Sequence, residues 1–371
     1  MRAQAKKILV IGGAGYVGCV LVEELLRRGY AVKVFDRLIY GDQGLRDVRD
    51  RVEVVVGDMR AIEPSVFEGV AAVINLGGIS NDPTAEFNPD ANYEMNTIAT
   101  DTSAQQAKQA GIERYIFASS CSIYDQGVED PEADLILDET ADVQPRAAYS
   151  SSKFEAEQRL LPMADKHFCP VVLRKGTVYG WSPRMRFDLV VNTFLKDALT
   201  RGRITIHYGG EMWRPLVDVR DAARAYIACV EADADKVRGQ IFNVIYRNMR
   251  ISELALRVKE ALGENGLPVE ITPAYGYTGV RNYRVSGRKI AQVLDFRPVV
   301  TIEESVGNAL GKLRGLTHAQ LEDPRFYNIR WLKLLEEAET VLGAPGALFG
   351  IPKNEKVDTN VRALRTSRGD A

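Results

Sequence analysis

The chain has 371 residues, of which 46% are hydrophobic and 26% charged, and its formal net charge is -2. These proportions are ordinary for a globular enzyme, and the small net charge gives no electrostatic reason to expect binding to nucleic acid or to an anionic membrane. The four cysteines and three histidines are scattered without ligand spacing, so we expect neither a disulfide framework nor a bound metal. No apolar run approaches the roughly 20 residues of a membrane-spanning helix, and we expect a cytoplasmic protein.

The first half of the chain alternates short apolar runs with longer amphipathic stretches. Near-continuous Val, Ile and Leu strands separated by helices indicate a parallel sheet covered on both faces, and short crossovers then give a doubly wound α/β fold of the Rossmann type. The predicted strands are 7–11, 31–36, 52–56, 71–76, 114–119 and 170–174, and the predicted helices are 16–28, 90–110 and 146–166.

The second half is less regular, because prolines divide it into shorter elements. We expect a cofactor domain of residues 1–174 plus about 214–247, where a helix at 219–231 and a strand at 240–245 return to the sheet. A smaller, mixed C-terminal domain for the substrate is expected at about 175–213 and 248–345. Residues 324–343 form an amphipathic segment, predicted to be a helix that packs on the body or on a partner. The polar tail 352–371 is predicted to be disordered.

A glycine-rich segment follows the first predicted strand and opens the first predicted helix. Gly12 and Gly15 belong to a GxxGxxG pattern, and Tyr16 and Val17 begin the helix. Glycines at this spacing allow a tight turn and a close approach of the backbone to a pyrophosphate, which then lies on the helix N-terminus. The segment predicts a dinucleotide site.

Two carboxylates support this site. Asp36 ends the second predicted strand, where it can bind the adenosine ribose, and Asp58-Met59 follows the third, where a carboxylate can reach adenine. The alternative is that both carboxylates only cap turns. A carboxylate at Asp36 would repel a 2′-phosphate, so NAD is favoured over NADP, although the neighbouring Arg37 could accept such a phosphate.

A tyrosine and a lysine occur in a YxxxK pattern at the start of the helix predicted at 146–166. Tyr149 and Lys153 lie four residues apart and therefore share one helix face. A lysine ammonium beside a phenol, together with an oxidised nicotinamide, lowers the pKa of tyrosine toward a working value. Ser120 closes the fifth strand, at the sheet edge where ligands bind, and can hydrogen-bond the substrate oxygen that Tyr149 deprotonates. The alternative is a surface helix with an exposed lysine.

Together the glycine loop, Asp36, Asp58, Ser119-Ser120 with Tyr124, and Tyr149 with Lys153 resemble the extended short-chain dehydrogenase/reductases, over about residues 7–315. Within them the match is to the NDP-sugar epimerase/dehydratase group. The resemblance implies tightly held NAD, with Ser120 and Tyr149 at a sugar hydroxyl and Lys153 at the nicotinamide ribose. It also implies a homodimer formed through helices 90–110 and 146–166. Further cofactor positions implied by the resemblance are Leu76, Gly77, Gly78 and Asn96.

One departure from the family pattern bears on the reaction. Dehydratases of the group carry an Asp-Glu pair directly after the hydroxyl residue of the fifth strand, whereas this chain has Cys121-Ser122. Neither residue is an ordinary acid or base at neutral pH. We therefore expect NAD-dependent epimerisation at C4 of a nucleotide-linked sugar, through a 4-keto intermediate. A dehydrogenase/reductase or 4,6-dehydratase of the same family and a non-catalytic NAD-sensing regulator remain as alternatives.

The resemblance also predicts a substrate site. Arg214 and Arg281 resemble the arginines that clamp the diphosphate, a role that suits bidentate guanidinium groups. Asp188 and Asp218 stand where the family often has asparagine and histidine, so the sequence does not specify the nucleotide or the sugar. The other predicted substrate residues are Ser80, Asn81, Ser120, Cys121, Thr177, Arg184, Arg186 and Asn192.

Overall fold

Seven parallel strands form the main sheet in the computed structural model, which describes residues 5–125, 135–274, 281–344 and 346–350. The tail predicted to be disordered lies outside the described residues. The strands in chain order are β1 (Lys7–Ile11), β2 (Ala31–Asp36), β3 (Val52–Val56), β4 (Ala72–Asn75), β5 (Arg114–Ser120), β6 (Ile136–Leu137), β7 (Cys169–Lys175), β8 (Thr177–Tyr179), β9 (Arg203–His207), β10 (Trp213–Asp218), β11 (Gln240–Val244), β12 (Arg247–Arg250), β13 (Glu270–Ala274) and β14 (Arg284–Val285).

The main sheet has the order β3-β2-β1-β4-β5-β7-β11. Its order reverses at β1, and at such a switch point ligands bind beyond the carboxyl ends of the strands. Alternate residues of β1 enter different cores, since Ile8 and Val10 pack into one apolar cluster and Leu9 and Ile11 into the other. The sheet is therefore covered on both faces, and the predicted doubly wound Rossmann fold is confirmed.

The helices predicted at 16–28, 146–166, 219–231 and 324–343 lie close to their predicted positions. None of the helices in the described ranges has the length and apolar character needed to cross a membrane. The helices are α1 (Tyr16–Arg27), α2 (Asp82–Phe87), α3 (Pro89–Tyr93), α4 (Ala99–Gln109), α5 (Ala148–Leu160), α6 (Val190–Arg201), α7 (Val219–Glu231), α8 (Ala234–Val237), α9 (Ile251–Glu264), α10 (Arg288–Leu294), α11 (Ile302–Leu313), α12 (His318–Leu321) and α13 (Asn328–Val341).

The helix predicted at 90–110 is divided into three parts. A π-helical segment, Glu94–Ile98, separates α3 from α4. Such a segment inserts one extra residue per turn and is often found beside functional sites. Here it contains the fully buried Asn96.

Additional small sheets lie outside the main one, as expected for a mixed C-terminal part. β8, β10 and β12 form a three-stranded sheet in which β10 is parallel to β8 and antiparallel to β12. The remaining pairs are β9 with β13 and β6 with β14. α7 packs on α1 and β11 joins β7, so the chain does return to the main sheet within 214–247. β10, in contrast, belongs to the additional sheet; the division into two domains stays a prediction.

The C-terminal helix α13 lies against the body of the protein. It contacts α2, and its Trp331 donates a hydrogen bond from Nε1 to the carbonyl oxygen of Ile39 at 2.6 Å. This contact brings α13 to the carboxyl edge of the main sheet, beside the segment that follows β2.

Candidate active site

The glycine loop lies between β1 and α1 and approaches the next strand closely. A Cβ atom on Gly12, whose φ is +77°, would lie 2.9 Å from the backbone nitrogen of Gly77, and a Cβ on Gly18 would lie 2.4 Å from the carbonyl oxygen of Gly12. Only glycine fits at both positions. No side chain caps the N-terminus of α1 at Gly15, so its amides are available to an anion. These residues fit the diphosphate of a dinucleotide.

Asp36 lines the cleft at the end of β2 and also holds the loop. Its carboxylate accepts hydrogen bonds from the backbone nitrogens of Ala14, at 3.0 Å, and Leu38, at 2.8 Å. Burial raises the pKa of Asp36, with these hydrogen bonds opposing it. The carboxylate thus does cap the turn, and it also faces the place predicted for the adenosine ribose.

Asp58 follows β3 and is paired with two arginines. Arg60 contacts it at 2.7 Å and Arg37 at 3.2 Å. Burial would raise the pKa of Asp58, but hydrogen bonds from Arg60 and the charge of Arg37 outweigh it and lower the pKa. Arg37 is therefore already bound to a carboxylate, which makes it less available to a 2′-phosphate. The neighbouring Met59 lines the cleft.

The segment Leu76–Gly78 forms the opposite wall of the cleft. Gly78 has a φ of +116°, and a Cβ there would collide with the side chain of Asn96. Asn96 donates from Nδ2 to the carbonyl oxygen of Ile79 at 3.0 Å. Asn96 is fully buried behind this wall, so it supports the wall rather than lining the cleft.

Ser120, Tyr149 and Lys153 meet at the centre of the same cleft. The Ser120 hydroxyl is hydrogen-bonded to the phenol of Tyr149. The Lys153 ammonium lies over the Phe117 ring, 4.8 Å from its centroid, and its side chain is almost fully buried. Burial, reinforced by the charge of Lys175, lowers the pKa of Lys153 to about 7.

The pKa of Tyr149 differs from the direction expected from the YxxxK pattern. Burial raises it, although Arg281, Arg186 and the hydrogen bond from Ser120 oppose that shift. A nearby lysine therefore does not by itself activate the phenol. The positive charge of an oxidised nicotinamide would act in the required direction.

Neither Cys121 nor Ser122 lines the cleft: Cys121 packs into an apolar cluster, and Ser122 is buried. The Cys121 thiol donates to the carbonyl oxygen of Arg174 at 3.1 Å, and burial raises its pKa far above the usual range. The prediction that Cys121 contacts the substrate is therefore corrected. It follows the last residue of β5, where the chain turns and directs its side chain inward.

A pair of arginines lies at the substrate end of the cleft. Arg281 forms an ion pair with Asp82 and lies 3.7 Å from Asp125. Arg214, at the start of β10, donates to the carbonyl oxygen of Arg281. Arg214 thus contacts the backbone of Arg281, and both residues line the cleft. Their role as a diphosphate clamp stays a prediction. The charge of Arg281 is balanced by Asp82.

Arg186, Ser80 and Asn81 form a second polar group in the cleft wall. Arg186 contacts Asp188 at 2.7 Å and donates from Nη1 to the Ser80 hydroxyl at 3.1 Å. Asn81 also donates to the carboxylate of Asp188, from Nδ2 to Oδ2 at 2.8 Å. Arg186, Ser80 and Asn81 all line the cleft, as predicted for substrate residues, and Thr177 lines it at the start of β8.

Asn192 was predicted to bind substrate, but its amide is fully engaged within the protein. It accepts from the backbone nitrogen of Gly180 and donates to Tyr16 and to the carbonyl oxygen of Arg186. It is also fully buried. The prediction is corrected: Asn192 positions Tyr16 and Arg186.

Two residues that the sequence patterns did not single out line the cleft. Lys175 ends β7 and donates from Nζ to the carbonyl oxygen of Ser119 at 2.9 Å, and burial lowers its pKa to about 8. Its position at the carboxyl end of a central strand was a usable signal. Asn328 of α13 comes from a segment with no motif, and only the folded chain brings it to the cleft. Within the described ranges, no group of three or more His, Cys, Asp or Glu side chains is arranged to hold a metal ion.

The chain is similar to several known proteins. The profile described as the NAD dependent epimerase/dehydratase family matches residues 8–244. UDP-glucuronic acid decarboxylase 1 of Xenopus tropicalis is 26% identical over 315 residues, which are 83% of this chain and 72% of the relative. A solved UDP-glucose 4-epimerase of Thermus thermophilus, in complex with NAD, has a TM-score of 0.70 and 26% identity, covering 84% of this chain and 100% of that one.

A relative with a different printed substrate is also similar. The decarboxylating sterol-4-alpha-carboxylate 3-dehydrogenase of Mus musculus is 29% identical over 236 residues. The match covers 62% of this chain and 60% of the relative, so this chain spans less than two thirds of that enzyme.

Proposed function

Because the chain belongs to the NAD dependent epimerase/dehydratase family, we propose that it is a nucleotide-sugar epimerase that inverts C4 of the sugar. The family confirms the predicted cofactor, NAD. One observation carries the proposal: a single cleft joins the glycine loop, the Ser120–Tyr149–Lys153 group and the arginine pair Arg214 and Arg281.

In this proposal the chain's own residues position the hydroxyl that is oxidised. Tyr149 accepts the hydroxyl proton, and Ser120, already hydrogen-bonded to Tyr149, holds the same oxygen. Lys153, which lines the same cleft, holds the cofactor ribose. When bound, NAD would supply the group that accepts a hydride from the sugar carbon and returns it, so that this carbon becomes a ketone and is then reduced again.

The environment after Ser120 argues against 4,6-dehydration. That reaction needs a general acid and a general base beside C5 and C6, and the two residues after Ser120 are a buried thiol and a buried hydroxyl. Cys121 in particular has its pKa raised by burial. The residues after Ser120 therefore fit epimerisation better than 4,6-dehydration.

The arginine pair favours a diphosphate-linked sugar over a carboxylated sterol. A sterol has an extended apolar surface and offers no diphosphate, so Arg214 and Arg281 would have no diphosphate to bind in that complex. Arg281 is mostly buried and lies beside the carboxylates of Asp82 and Asp125. A diphosphate would therefore contribute bidentate hydrogen bonds to the guanidinium groups.

Oxidative decarboxylation of a nucleotide-linked uronic acid is the second candidate. The similarity to a UDP-glucuronic acid decarboxylase, over 72% of that relative, favours it. Loss of CO₂ from a β-keto acid needs no carboxylate base, so the Cys121-Ser122 pair does not count against it. The same Tyr149 chemistry would begin both reactions. A simple dehydrogenase or reductase would also begin in this way, but it would require exchange of the cofactor at every turnover.

A non-catalytic NAD-sensing regulator is the alternative from another class. A pure binding module needs no phenol hydrogen-bonded to a serine beside a buried lysine, so the site weighs against it. Retention of every measurable function in Tyr149→Phe would support the regulator instead.

The predicted cytoplasmic homodimer is also part of the proposal. Tyr93 and Ile98, which lie in the predicted helix–helix interface, are partly exposed apolar side chains. Sedimentation equilibrium of the wild type and of Ile98→Glu tests the dimer: we expect dissociation in the variant, and a monomeric wild type would contradict it.

A panel of UDP-, GDP-, CDP- and dTDP-linked hexoses and uronic acids, incubated with the full chain and NAD, tests the function. Proton NMR reports the products, and absorbance at the NADH band reports net reduction. A C4 epimer without net NADH supports the proposal. A pentose with release of CO₂ supports the second candidate, decarboxylation. Net NADH or a 4-keto-6-deoxy sugar would contradict both candidates and indicate a dehydrogenase or a dehydratase.

A further inference from the structure

Arg184 lies beside the cofactor end of the cleft, although the sequence resemblance assigned it to the substrate. It follows β8 in the segment 180–186, which is hydrogen-bonded to Tyr16 in the first turn of α1. Ser182 donates to the carbonyl oxygen of Tyr16 at 2.7 Å, and the Tyr16 hydroxyl donates to the carbonyl oxygen of Gly180 at 2.7 Å. This places Arg184 next to the helix whose N-terminus follows the glycine loop.

The Arg184 guanidinium is buried with unused hydrogen-bonding capacity. Its exposed fraction is 2%, it lines the cleft, and it stacks on Tyr40 at 4.0 Å from the ring centroid. Nη2 donates to the side-chain oxygen of Asn328 at 2.6 Å, while the buried Nε finds no partner among the described residues. A guanidinium has five N–H donors, and a neutral amide does not balance its charge.

We infer that Arg184 binds the diphosphate of the dinucleotide and that Asn328, from the C-terminal helix, positions it. The glycine loop and the uncapped N-terminus of α1 already form an anion site, and Arg184 lines the same cleft and contacts Cys19 of α1. A guanidinium suits a diphosphate because it donates two parallel hydrogen bonds. The ligand is therefore a nucleoside diphosphate group, supplied by the cofactor.

Asn328 connects this site to the rest of the cleft. It is the first residue of α13, is 3% exposed, and donates from Nδ2 to the Ser80 hydroxyl at 3.0 Å. Ser80 in turn accepts from Arg186. One amide thus orients Arg184 on the cofactor side and Ser80 on the substrate side.

Other contacts hold the C-terminal segment at the cofactor end. Trp331 donates to Ile39, and Arg60 donates to the carbonyl oxygens of Phe349, at 2.6 Å, and Gly350, at 2.9 Å. The family match ends at residue 244, well before this segment. The positioning residue Asn328 therefore comes from a part of the chain that the family profile does not cover.

Isothermal titration calorimetry of the full chain separates the two sources of a diphosphate. Wild type, Arg184→Met, Arg184→Lys and Asn328→Ala are titrated with adenosine, ADP, ADP-ribose and UDP. We expect Arg184→Met to weaken ADP and ADP-ribose about 10- to 100-fold while adenosine and UDP change less than about twofold. The affinity of Arg184→Lys for ADP and ADP-ribose should be intermediate, because lysine keeps the charge but cannot donate two parallel hydrogen bonds.

Asn328→Ala should weaken ADP-ribose about three- to tenfold, because Arg184 remains but loses its orienting partner. The control is Arg330→Ala, two residues along the same helix and half exposed, which should bind every ligand as the wild type does. Far-UV circular dichroism confirms that each variant is folded. Unchanged ADP-ribose binding in Arg184→Met, or weaker UDP binding with ADP-ribose unchanged, would overturn the inference; the latter would return Arg184 to the substrate. ADP-ribose serves here as a fragment of the cofactor, and the titrations measure binding without turnover, so the outcome does not depend on the proposed epimerase activity.

Discussion

Arg186 binds Asp188 through two nitrogens, with Nε at 3.0 Å and Nη2 at 2.7 Å from the two carboxylate oxygens. Burial opposes ionisation of Asp188, but the charge and hydrogen bonds of Arg186 outweigh it and lower the pKa of that carboxyl. An aspartate at a position where relatives often have asparagine therefore does not place a free negative charge beside the substrate. It holds a buried arginine in the cleft wall.

Replacing this carboxylate should destabilise the fold. Asp188→Asn leaves the Arg186 guanidinium buried without a charged partner, and we expect a loss of about 3 kcal/mol in the free energy of unfolding. Urea denaturation measures it. The control is Asp235→Asn, whose side chain is 90% exposed beside Arg238 and should change stability by less than about 0.5 kcal/mol. Equal effects in the two variants would contradict this account.

Lys153 should lower the free energy of unfolding, because its ammonium group is buried in the folded protein. Its pKa is lowered from 10.5 to about 7, chiefly by burial, so between these values the unfolded chain binds one proton more than the folded chain. Stability from this group therefore rises with pH across that window and is lowest below pH 7. The shift corresponds to up to roughly 5 kcal/mol at about 1.36 kcal/mol per pKa unit.

Lys153→Met should therefore be more stable than the wild type at about pH 6.5, and the difference should shrink toward pH 10. Urea denaturation at several pH values measures it. The same variant should lose at least about 100-fold in kcat. A stability difference that does not depend on pH would contradict the assigned cause.

Tyr149→Phe should remove the proton acceptor and leave the cofactor site intact. We expect kcat to fall about 100- to 10,000-fold, with NAD affinity unchanged within about twofold. Steady-state kinetics and calorimetry measure the two quantities. Tyr93→Phe is the matched control, since Tyr93 is partly exposed and bonded to Glu155 at the surface. Wild-type turnover in Tyr149→Phe would contradict the assigned role.

Arg281→Met should weaken substrate binding much more than it slows the chemical step. Arg281 is proposed to bind the diphosphate, so we expect KM for the nucleotide sugar to rise about 10- to 100-fold. A smaller fall in kcat should accompany it, because the charge of Arg281 also lowers the pKa of Tyr149. The exposed Arg288 provides the control variant, Arg288→Met, with unchanged kinetics. A fall in kcat at unchanged KM would instead place Arg281 at the reacting carbon.

Local patterns predicted the part of the fold and site that depends on short-range geometry. The glycine loop, the strand–helix alternation and the pairing of Tyr149 with Lys153 follow from the spacing of residues along the chain. Cys121 was misplaced because the chain turns directly after β5, and a sequence pattern does not show to which side a turn directs its first side chain.

Long-range contacts could not be predicted in this way. Arg184 and Asn328 are 144 residues apart, and Arg281 and Asp82 are 199 apart. No periodicity connects such pairs, because packing of the whole chain decides them. Asn192 shows the same limit, since its contacts with Tyr16 and Gly180 depend on how two separate segments meet.

The most direct test of the central claim uses a nucleotide sugar that turns over, carrying deuterium at C4. Epimerisation through a ketone held in the site, with Tyr149 moving the hydroxyl proton, predicts a C4 epimer that retains the deuterium at C4, without net reduced cofactor, in mass spectra and proton NMR. Deuterium recovered in free reduced cofactor, or an epimer carrying hydrogen from solvent at C4, would contradict it.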